Sequence, residues 1–400
     1  MSGNSGDPAP LAPPLSILIL GLSITSSWGN GHATTYRGLM RELVRRGHRV
    51  TFLERDLPWY ASNRDLPKPP YGTTHIYHST AQLKRRFASL VREADLVIVG
   101  SFVPEGAEIG EWVTRQARGL TAFYDIDTPV TLAALANGTA DYITPALVRR
   151  YDLYLSFTGG PVLDLLQRRY GAPHARPLYC SVDALAYTPR ETRTRWDLGY
   201  MGTYSRDRQA ALERLLCAVA RKWPEGRFVV AGPQYPSEIR WPANVERVEH
   251  LAPDRHRNFY TAQRFTLNIT RSAMVRAGWS PSVRLFEAAA CGTPIISDHW
   301  TGIETFFTPG REILIARRTT DSTAFLREIT EAERRRIGAD ARTRVLREHT
   351  AAHRAAELES YAAELMRRPL SPVLPDDEES RGAVIRDKTV LTIASGLAKP

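Results

Sequence analysis

From Leu15 onward one unit recurs along the chain: a short apolar run, a turn containing glycine, then a stretch whose apolar positions return every three or four residues. Strand-like runs stand at 15–21, 49–53, 75–78, 95–100, 120–125 and 152–157. Between them lie amphipathic segments such as TTYRGLMRELVRRG, in which Leu39, Met40, Leu43 and Val44 share one face and Gly47 supplies a C-terminal cap. Apolar runs alternating with helices predict an α/β architecture, a parallel sheet covered on both faces.

The unit starts again near Trp196. Strand-like runs follow at 198–202, 227–231, 265–269, 294–297 and 313–316, with helical periodicity at 207–222, 254–263, 282–290 and 331–348. Two doubly wound, Rossmann-like domains are therefore expected, facing each other across a cleft. The expected division is a disordered Gly-, Pro- and Ser-rich end at 1–14, a first domain at 15–180, a polar linker at 181–196, a second domain at 197–349, a last helix at 350–367 and a mobile tail at 368–400. Within that tail VLTIA, near residue 390, is able to pair as a short strand. Ligands of open parallel sheets bind beyond the carboxyl ends of the strands, so the loops after each strand are where chemistry is to be sought.

Composition narrows the field. A hydrophobic share of 43% and a charged share of 24% describe an ordinary globular chain, and 400 residues suffice for two or three cores. Lys plus Arg number 53 against 43 Asp plus Glu, a net charge of +10 carried almost wholly by arginine and spread along the chain. That pattern favours phosphate-bearing small molecules over nucleic acid, whose binders concentrate charge in a stripe interleaved with stacking aromatics. Cys180, Cys217 and Cys291 are odd in number and widely spaced, which implies neither a disulfide framework nor a zinc site and points to a cytoplasmic compartment. The run Leu15–Leu22 is too short to span a membrane and lacks a basic flank, so neither a transmembrane segment nor a signal peptide is expected.

In the first half, GLSITSSWGNGHATTYRGL follows the first strand. Gly29, Asn30 and Gly31 allow close backbone approach, Thr34 or Thr35 can cap the next helix, and His32 sits at its entrance, either as a structural imidazole or in contact with substrate. A dinucleotide fingerprint lacks its third glycine here, and Glu54 is the one acidic residue placed to meet a ribose. The long Pro-rich loop after the second strand carries Trp59, Tyr60, Arg64 and Asp65, a candidate acceptor-side surface or a solvated excursion. In YDIDTP, Asp125 and Asp127 fall on one side of an extended chain, where they can orient sugar hydroxyls or a divalent ion, while Asp127 before Thr128 and Pro129 also fits a helix cap. No obligatory metal is expected.

The second half is richer. LGYMGTYSRDRQ sets Gly202, Tyr204, Arg206 and Arg208 in a strand-to-helix turn suited to a phosphate. VVAGPQYP ends a strand at Gly232, and FTLNITR ends another at Arg271. SPSVRLFEAAACGTPIISD brings Ser282, Val283 and Arg284 to a helix entrance with Glu287 one turn on. One carboxylate amid several anion-binding elements fits a nucleoside diphosphate, the carboxylate on ribose hydroxyls and the amides and arginines on phosphates.

These segments, with CSVDALAYTP before them and HWTGIETFFTPGREILIA after, occur in the order and spacing of GT-B glycosyltransferases with a retaining, glycogen-synthase-like donor domain. The SVR stretch before FEAAACGTPIISD and the WYASNRD loop most resemble the CgeB-like branch, named for a spore-maturation protein. The resemblance, over about residues 15–367, implies a nucleotide-sugar donor, UDP-linked first, with Glu287 on the ribose, Ser282–Arg284 on the pyrophosphate and Arg208 on a phosphate. It also implies that the last helix crosses back to the first domain. The acceptor is not implied. His32, Asp127 and Arg208 are the candidate catalytic groups, and Asn30, Gly31, Trp59, Arg64 and Asp65 the candidate acceptor contacts. The resemblance departs at Trp279, which stands where such domains carry the first motif glutamate, eight residues before the second, the one that Glu287 matches. A sugar-nucleotide epimerase and a non-catalytic sugar-nucleotide or glycan-binding protein are the alternatives. His349 and His353 have metal-ligand spacing but no third ligand, and are read as structural.

Overall fold

The computed structural model describes residues 13–28 and 31–367. Gly29 and Asn30, residues 1–12 of the first end, and the tail at 368–400 with its VLTIA segment lie outside the described residues.

The first sheet holds β1 (Ser16–Gly21), β2 (Arg49–Arg55), β3 (Thr73–Tyr77), β4 (Leu96–Gly100), β5 (Leu120–Asp125), β6 (Leu153–Ser156) and β7 (Ala175–Pro177), in the order β3-β2-β1-β4-β5-β6-β7. All pairs are parallel, with Ile17 of β1 opposite Val50 on one side and Leu96 on the other. Alternation sorts β1 into two cores. Ile17 and Ile19 pack with Leu39 and Leu43, while Leu18 and Leu20 pack with Leu83 and Phe87. Burial on both faces is why the strand reads as a continuous apolar run.

The second sheet repeats the plan with β8 (Trp196–Met201), β9 (Phe228–Ala231), β10 (Val245–Val248), β11 (Gln263–Asn268), β12 (Ile295–Ser297) and β13 (Leu314–Ile315), in the order β10-β9-β8-β11-β12-β13, again parallel. The order reverses at β1/β4 and at β8/β11, the switch points where α/β sheets open a crevice. Two strands were not legible in the hydrophobic pattern. β7 (Ala-Arg-Pro) and β10 (Val-Glu-Arg-Val) are edge strands, short and charged where solvent meets them. The helix expected at 207–222 runs as Arg206–Leu212, a π turn Glu213–Cys217 and Ala218–Lys222.

The chain passes between the sheets twice, and the two passages pair. Val182 donates to His349 O (3.1 Å) on the way out and accepts from Ala351 N (3.0 Å) on the way back. The helix Ala351–Met366 then lies on the helix His32–Arg45 and buries Ala355, Leu358 and Ala362 in the β1 core. The contact is tight because Gly38 offers no side chain: a β-carbon there would stand 3.1 Å from that of Ala351. Beside it Glu359, 2% exposed, accepts from Arg46 Nε (2.6 Å) and from His48 Nε2 (2.7 Å). The tautomer is fixed, since His48 Nδ1 accepts from Leu15 N (3.0 Å) and Nε2 must therefore carry the proton. Cys180, Cys217 and Cys291 are buried free thiols, each pushed up to about 12 by burial.

Burial raises the Glu359 carboxyl, but Arg46 and His48 outweigh it and hold the group below the usual glutamate range. Its stabilisation is therefore present at neutral pH and lost as the pH falls through that lowered value. Glu359→Ala leaves Arg46 and His48 buried without their acceptor, and a loss of about 3 kcal/mol at pH 7 is expected in urea unfolding. The gap from wild type should narrow in acid, as the wild-type carboxylate protonates.

Candidate active site

The carboxyl edges of the two sheets face each other across a cleft of about 190 Å³. Its wall on the second domain is built on the helix Val283–Ala290. Ser282 precedes this helix but does not cap it, because its hydroxyl donates to Asn268 Oδ1 (2.8 Å). The first amides, at Val283 and Arg284, are left for a ligand, at the positive end of the helix dipole. One turn on, Glu287 lies on the same face as Val283 and lines the cleft, 3% exposed.

Glu287 is set by a buried polar group. Tyr260 donates to its Oε2 (3.0 Å), and His256 Nδ1 stands 3.9 Å away. His256 Nε2 faces Leu251 O (3.1 Å), so that nitrogen carries the proton and Nδ1 accepts from the Tyr187 hydroxyl (3.1 Å). Burial, and then the Glu287 charge, push both tyrosine hydroxyls well above their ordinary range, so they remain donors. Neither His250 nor His256, both of which line the cleft, was singled out in the sequence. Both follow β10, and once VERV is read as a strand the segment EHLAPDRH, a short loop running into the helix Pro253–Thr261, falls at a carboxyl end.

The arginines divide into spent and unspent. Arg284, 8% exposed, does not pair with Glu287: its Nε donates to Met201 O, its Nη1 to Asn268 Oδ1 (2.7 Å), and its plane lies over Tyr200. It ties β8 to the helix and exposes one edge to the cleft. Arg208 donates from Nη2 to Thr203 O (2.6 Å), while its buried Nε has no partner among the described residues. Burial, and the nearby Arg284 and Arg271, hold its guanidinium below the usual arginine value. An anion would relieve that repulsion. Arg206 is exposed at the start of its helix.

The turn after β8 has fewer free amides than its composition suggests. Gly202 N donates to Ala231 O (2.8 Å) and Tyr204 N to Pro233 O (3.0 Å). Gly232, at φ +141°, is required because a β-carbon would lie 2.1 Å from Gly202 O. These bonds zip the ends of β8 and β9 together and set the cleft's depth.

From the first domain, Gly31 and Thr34 line the cleft. Thr34 donates to Gly31 O (3.0 Å), and no side chain caps the helix. The His32 ring lies beside Phe102, 5.8 Å between centroids, and burial brings its imidazole down to about 4, neutral at pH 7. Glu54 is fully buried, accepting from Ile24 N (2.7 Å), Thr25 N and the Thr25 hydroxyl, so it holds the loop after β1 and is not available to a ribose. Arg64 is bonded to Asp56 and Thr25, and Asp65 accepts from Arg37 and from Ser27 N (2.8 Å). Both nonetheless line an adjoining recess that shares Ser27, His250 and Pro253 with the main cleft. Trp59 lies half exposed against Tyr60, outside both.

The YDIDTP carboxylates separate. Asp125, fully buried, accepts from Tyr154 and from Thr131 (2.7 Å) within the first domain. Asp127 precedes a helix without capping it, and its Oδ2 instead accepts from Arg271 Nη1 (2.9 Å) of the second domain while Oδ1 is buried without a partner among the described residues. The two carboxylates therefore do not act as a pair. Among the described residues no group of three or more His, Cys, Asp or Glu is placed to hold a metal ion.

Trp279 wedges the domains. Its backbone is in the left-handed region, φ +42°, held by Trp279 N to Thr301 O (2.7 Å) and Gly159 N to Trp279 O (3.0 Å). The indole sits between Gly160 and Gly302: a β-carbon on either would lie 2.6 or 2.5 Å from the ring. Thr158 and Ser280 bond alongside at 2.9 Å.

Residues 206–360 match a family described as glycosyl transferase-like. No curated protein matches the chain. Among solved structures, sucrose-phosphate synthase from Thermosynechococcus elongatus superposes with a TM-score of 0.63 at 16% identity, over 88% of this chain and 99% of that one. HepE from Anabaena, in complex with UDP-glucose, gives 0.66 at 11% over 88% and 100%. An alpha-glucosyltransferase in complex with UDP and a 13-mer DNA gives 0.64 at 12% over 88% and 100%. The fold is thus GT-B: two Rossmann-like domains facing across a cleft. No helix of the described residues is long and apolar enough to cross a membrane.

Burial drives the Asp125 carboxyl up to about 6 against the bonds from Tyr154 and Thr131. A raised carboxyl binds its proton more tightly folded than unfolded, so its contribution falls as the pH rises from about 4 to 6. Asp125→Asn should therefore raise stability at pH 7.5 by on the order of 2–3 kcal/mol, with the advantage gone at pH 4. Thermal unfolding of both proteins at the two pH values checks it.

Proposed function

We propose that the chain is a glycosyltransferase that moves a sugar from a nucleoside-diphosphate sugar, UDP-linked, to a separate acceptor, without an obligatory metal. One observation carries this reading: the uncapped amides of Val283 and Arg284 and the buried Glu287 stand one turn apart on a helix that lines the interdomain cleft. That spacing suits a diphosphate on the amides and a ribose on the carboxylate. Solved neighbours that hold UDP or UDP-glucose on this fold support the choice of base. The SVR stretch and the WYASNRD loop favour the CgeB-like branch.

In the transfer, the bond between the anomeric carbon and the diphosphate oxygen breaks and the acceptor hydroxyl oxygen bonds that carbon. Charge grows on the leaving diphosphate, where preorganised amides and the cations Arg208 and Arg271 stabilise it. Arg284 acts indirectly, by fixing β8 against the helix, and Arg206 is poised at the rim. If configuration is retained, the hydroxyl proton passes to the leaving phosphate. If it is inverted, His32, neutral at pH 7, is the candidate base, although a value near 4 makes it a weak one. Asp127, with one oxygen unpartnered, is the candidate for orienting a sugar hydroxyl. Segment 181–196 is taken as the hinge of a closure that excludes water.

Trp279 favours a second reading. It removes the carboxylate that related donor domains place on the sugar, as a sugar-nucleotide-binding protein without turnover would tolerate. An epimerase needs paired acid and base groups in the cleft, and Asp125 and Asp127 do not supply them.

Thermal unfolding with UDP, GDP, TDP, ADP and NAD, with and without magnesium, tests the donor site. A diphosphate at a hundred times its Kd adds about 2.7 kcal/mol to the folded state. Stabilisation by UDP that is independent of magnesium and lost in Glu287→Ala is the expected outcome; no shift with any diphosphate moves the binding-protein reading to the front only if UDP-glucose still binds, and otherwise removes both. His32→Ala with activity within a few fold of wild type would remove the general-base role.

A further inference from the structure

We propose that a second cleft in the second domain anchors the acceptor, and that the acceptor is a glycan carrying carboxylate, sulfate or phosphate groups; this rests on the glycosyltransferase reading above. The cleft opens at the carboxyl ends of β11, β12 and β13 and has a volume of about 460 Å³. Arg214 reaches it from the helix after β8, Arg276 from the helix Ser272–Ala277, and Arg317 from the loop after β13. All three are exposed, and none pairs with a carboxylate among the described residues.

The carboxylates that share the cleft are engaged elsewhere. Asp207 accepts from Ser272 N (2.7 Å) and from the Ser205 hydroxyl, and Asp298 accepts from Thr270 N (3.0 Å) and Oγ1 (2.9 Å). They fasten loops to one another, and with two carboxylates against three guanidinium groups the cleft keeps a net positive charge. His299 lies beside them, 3.6 Å from Glu304. Three planar forks supplied by three separate elements suit a ligand with several oxyanions spaced along it better than a single phosphate. The wall between them is alanine, and no Trp, Tyr or Phe lines the cleft, so nucleobases would find no stacking platform. A glycan, whose rings need none, fits.

Position supports the assignment. Asp207 and Ser272 of this cleft are the immediate neighbours of Arg208 and Arg271, which act on Asp127, and Gly202 and Thr203 of the same turn line the donor cleft. The two clefts thus share the turn after β8, so a chain held by the three arginines lies beside the donor site.

The test is calorimetric titration of the full chain with a heparin-derived hexasaccharide, with neutral maltohexaose and with a 12-nucleotide single strand of DNA. Two triple variants are compared: Arg214→Ala/Arg276→Ala/Arg317→Ala, and Arg118→Ala/Arg150→Ala/Arg168→Ala, which removes three exposed charges from the first domain. The expected result is hexasaccharide binding that weakens at least about tenfold in the first variant and less than about twofold in the second, with maltohexaose silent and the UDP-induced thermal shift intact in both. Equal weakening by the two variants, no hexasaccharide binding, or DNA binding as tight and lost in the same variant overturns the proposal. A UDP shift that persists while the hexasaccharide fails leaves the donor reading standing; absence of that shift in the wild type removes the donor reading itself.

Discussion

The crowding of three guanidinium groups at one sheet edge is the constraint on which the cleft depends. Arg208, Arg271 and Arg284 gather where β8 and β11 end, close enough that Arg208 is held below its ordinary value by burial and by the other two. The parallel sheets enforce this. Every strand of the second sheet delivers its crossover to the same edge, so helix N-termini and arginine-bearing loops accumulate there. The domain tolerates that charge in two ways. Arg284 is consumed in hydrogen bonds to Met201 and Asn268, and Arg271 reaches across to Asp127 of the first domain. Arg208 alone keeps a buried donor unspent.

The same logic couples binding to domain geometry. The Arg271–Asp127 pair joins the domains across the cleft, as do the Thr158–Ser280 bond and the Trp279 indole seated between Gly160 and Gly302. On the far side the paired passages at Val182 and Ala351 and the buried Glu359 cluster fix the returning helix to the first domain. An anion that recruits Arg271 competes with Asp127 for it, so occupancy of the cleft and the interdomain contact are linked through one guanidinium. Trp279 is an aromatic wedge at this contact, its indole packed against one glycine from each domain.

The fold was legible because burial on both faces writes parallel strands as unbroken apolar runs: β1, β4 and β5 stand where LSILILG, DLVIVG and LTAFYD put them. The edge strands β7 and β10 escaped, since half-solvated strands keep charges, and with β10 went His250 and His256. Val283, Arg284 and Glu287 were legible as types in a spacing, but their division of labour was not. Nothing in the sequence says that Ser282 prefers Asn268 to its own helix, that Arg284 is turned inward, or that Asp125 and Asp127 point into different domains. Those outcomes depend on tertiary partners many residues away.

The central claim is that the cleft is built for a diphosphate and only secondarily for a base. Calorimetric titration with uridine, UMP and UDP tests it most directly. Charge-assisted contacts predict an affinity that rises at least about tenfold from UMP to UDP and a UDP affinity that falls with salt. Equal affinities for UMP and UDP, or binding of uridine as tight as either, would contradict the account.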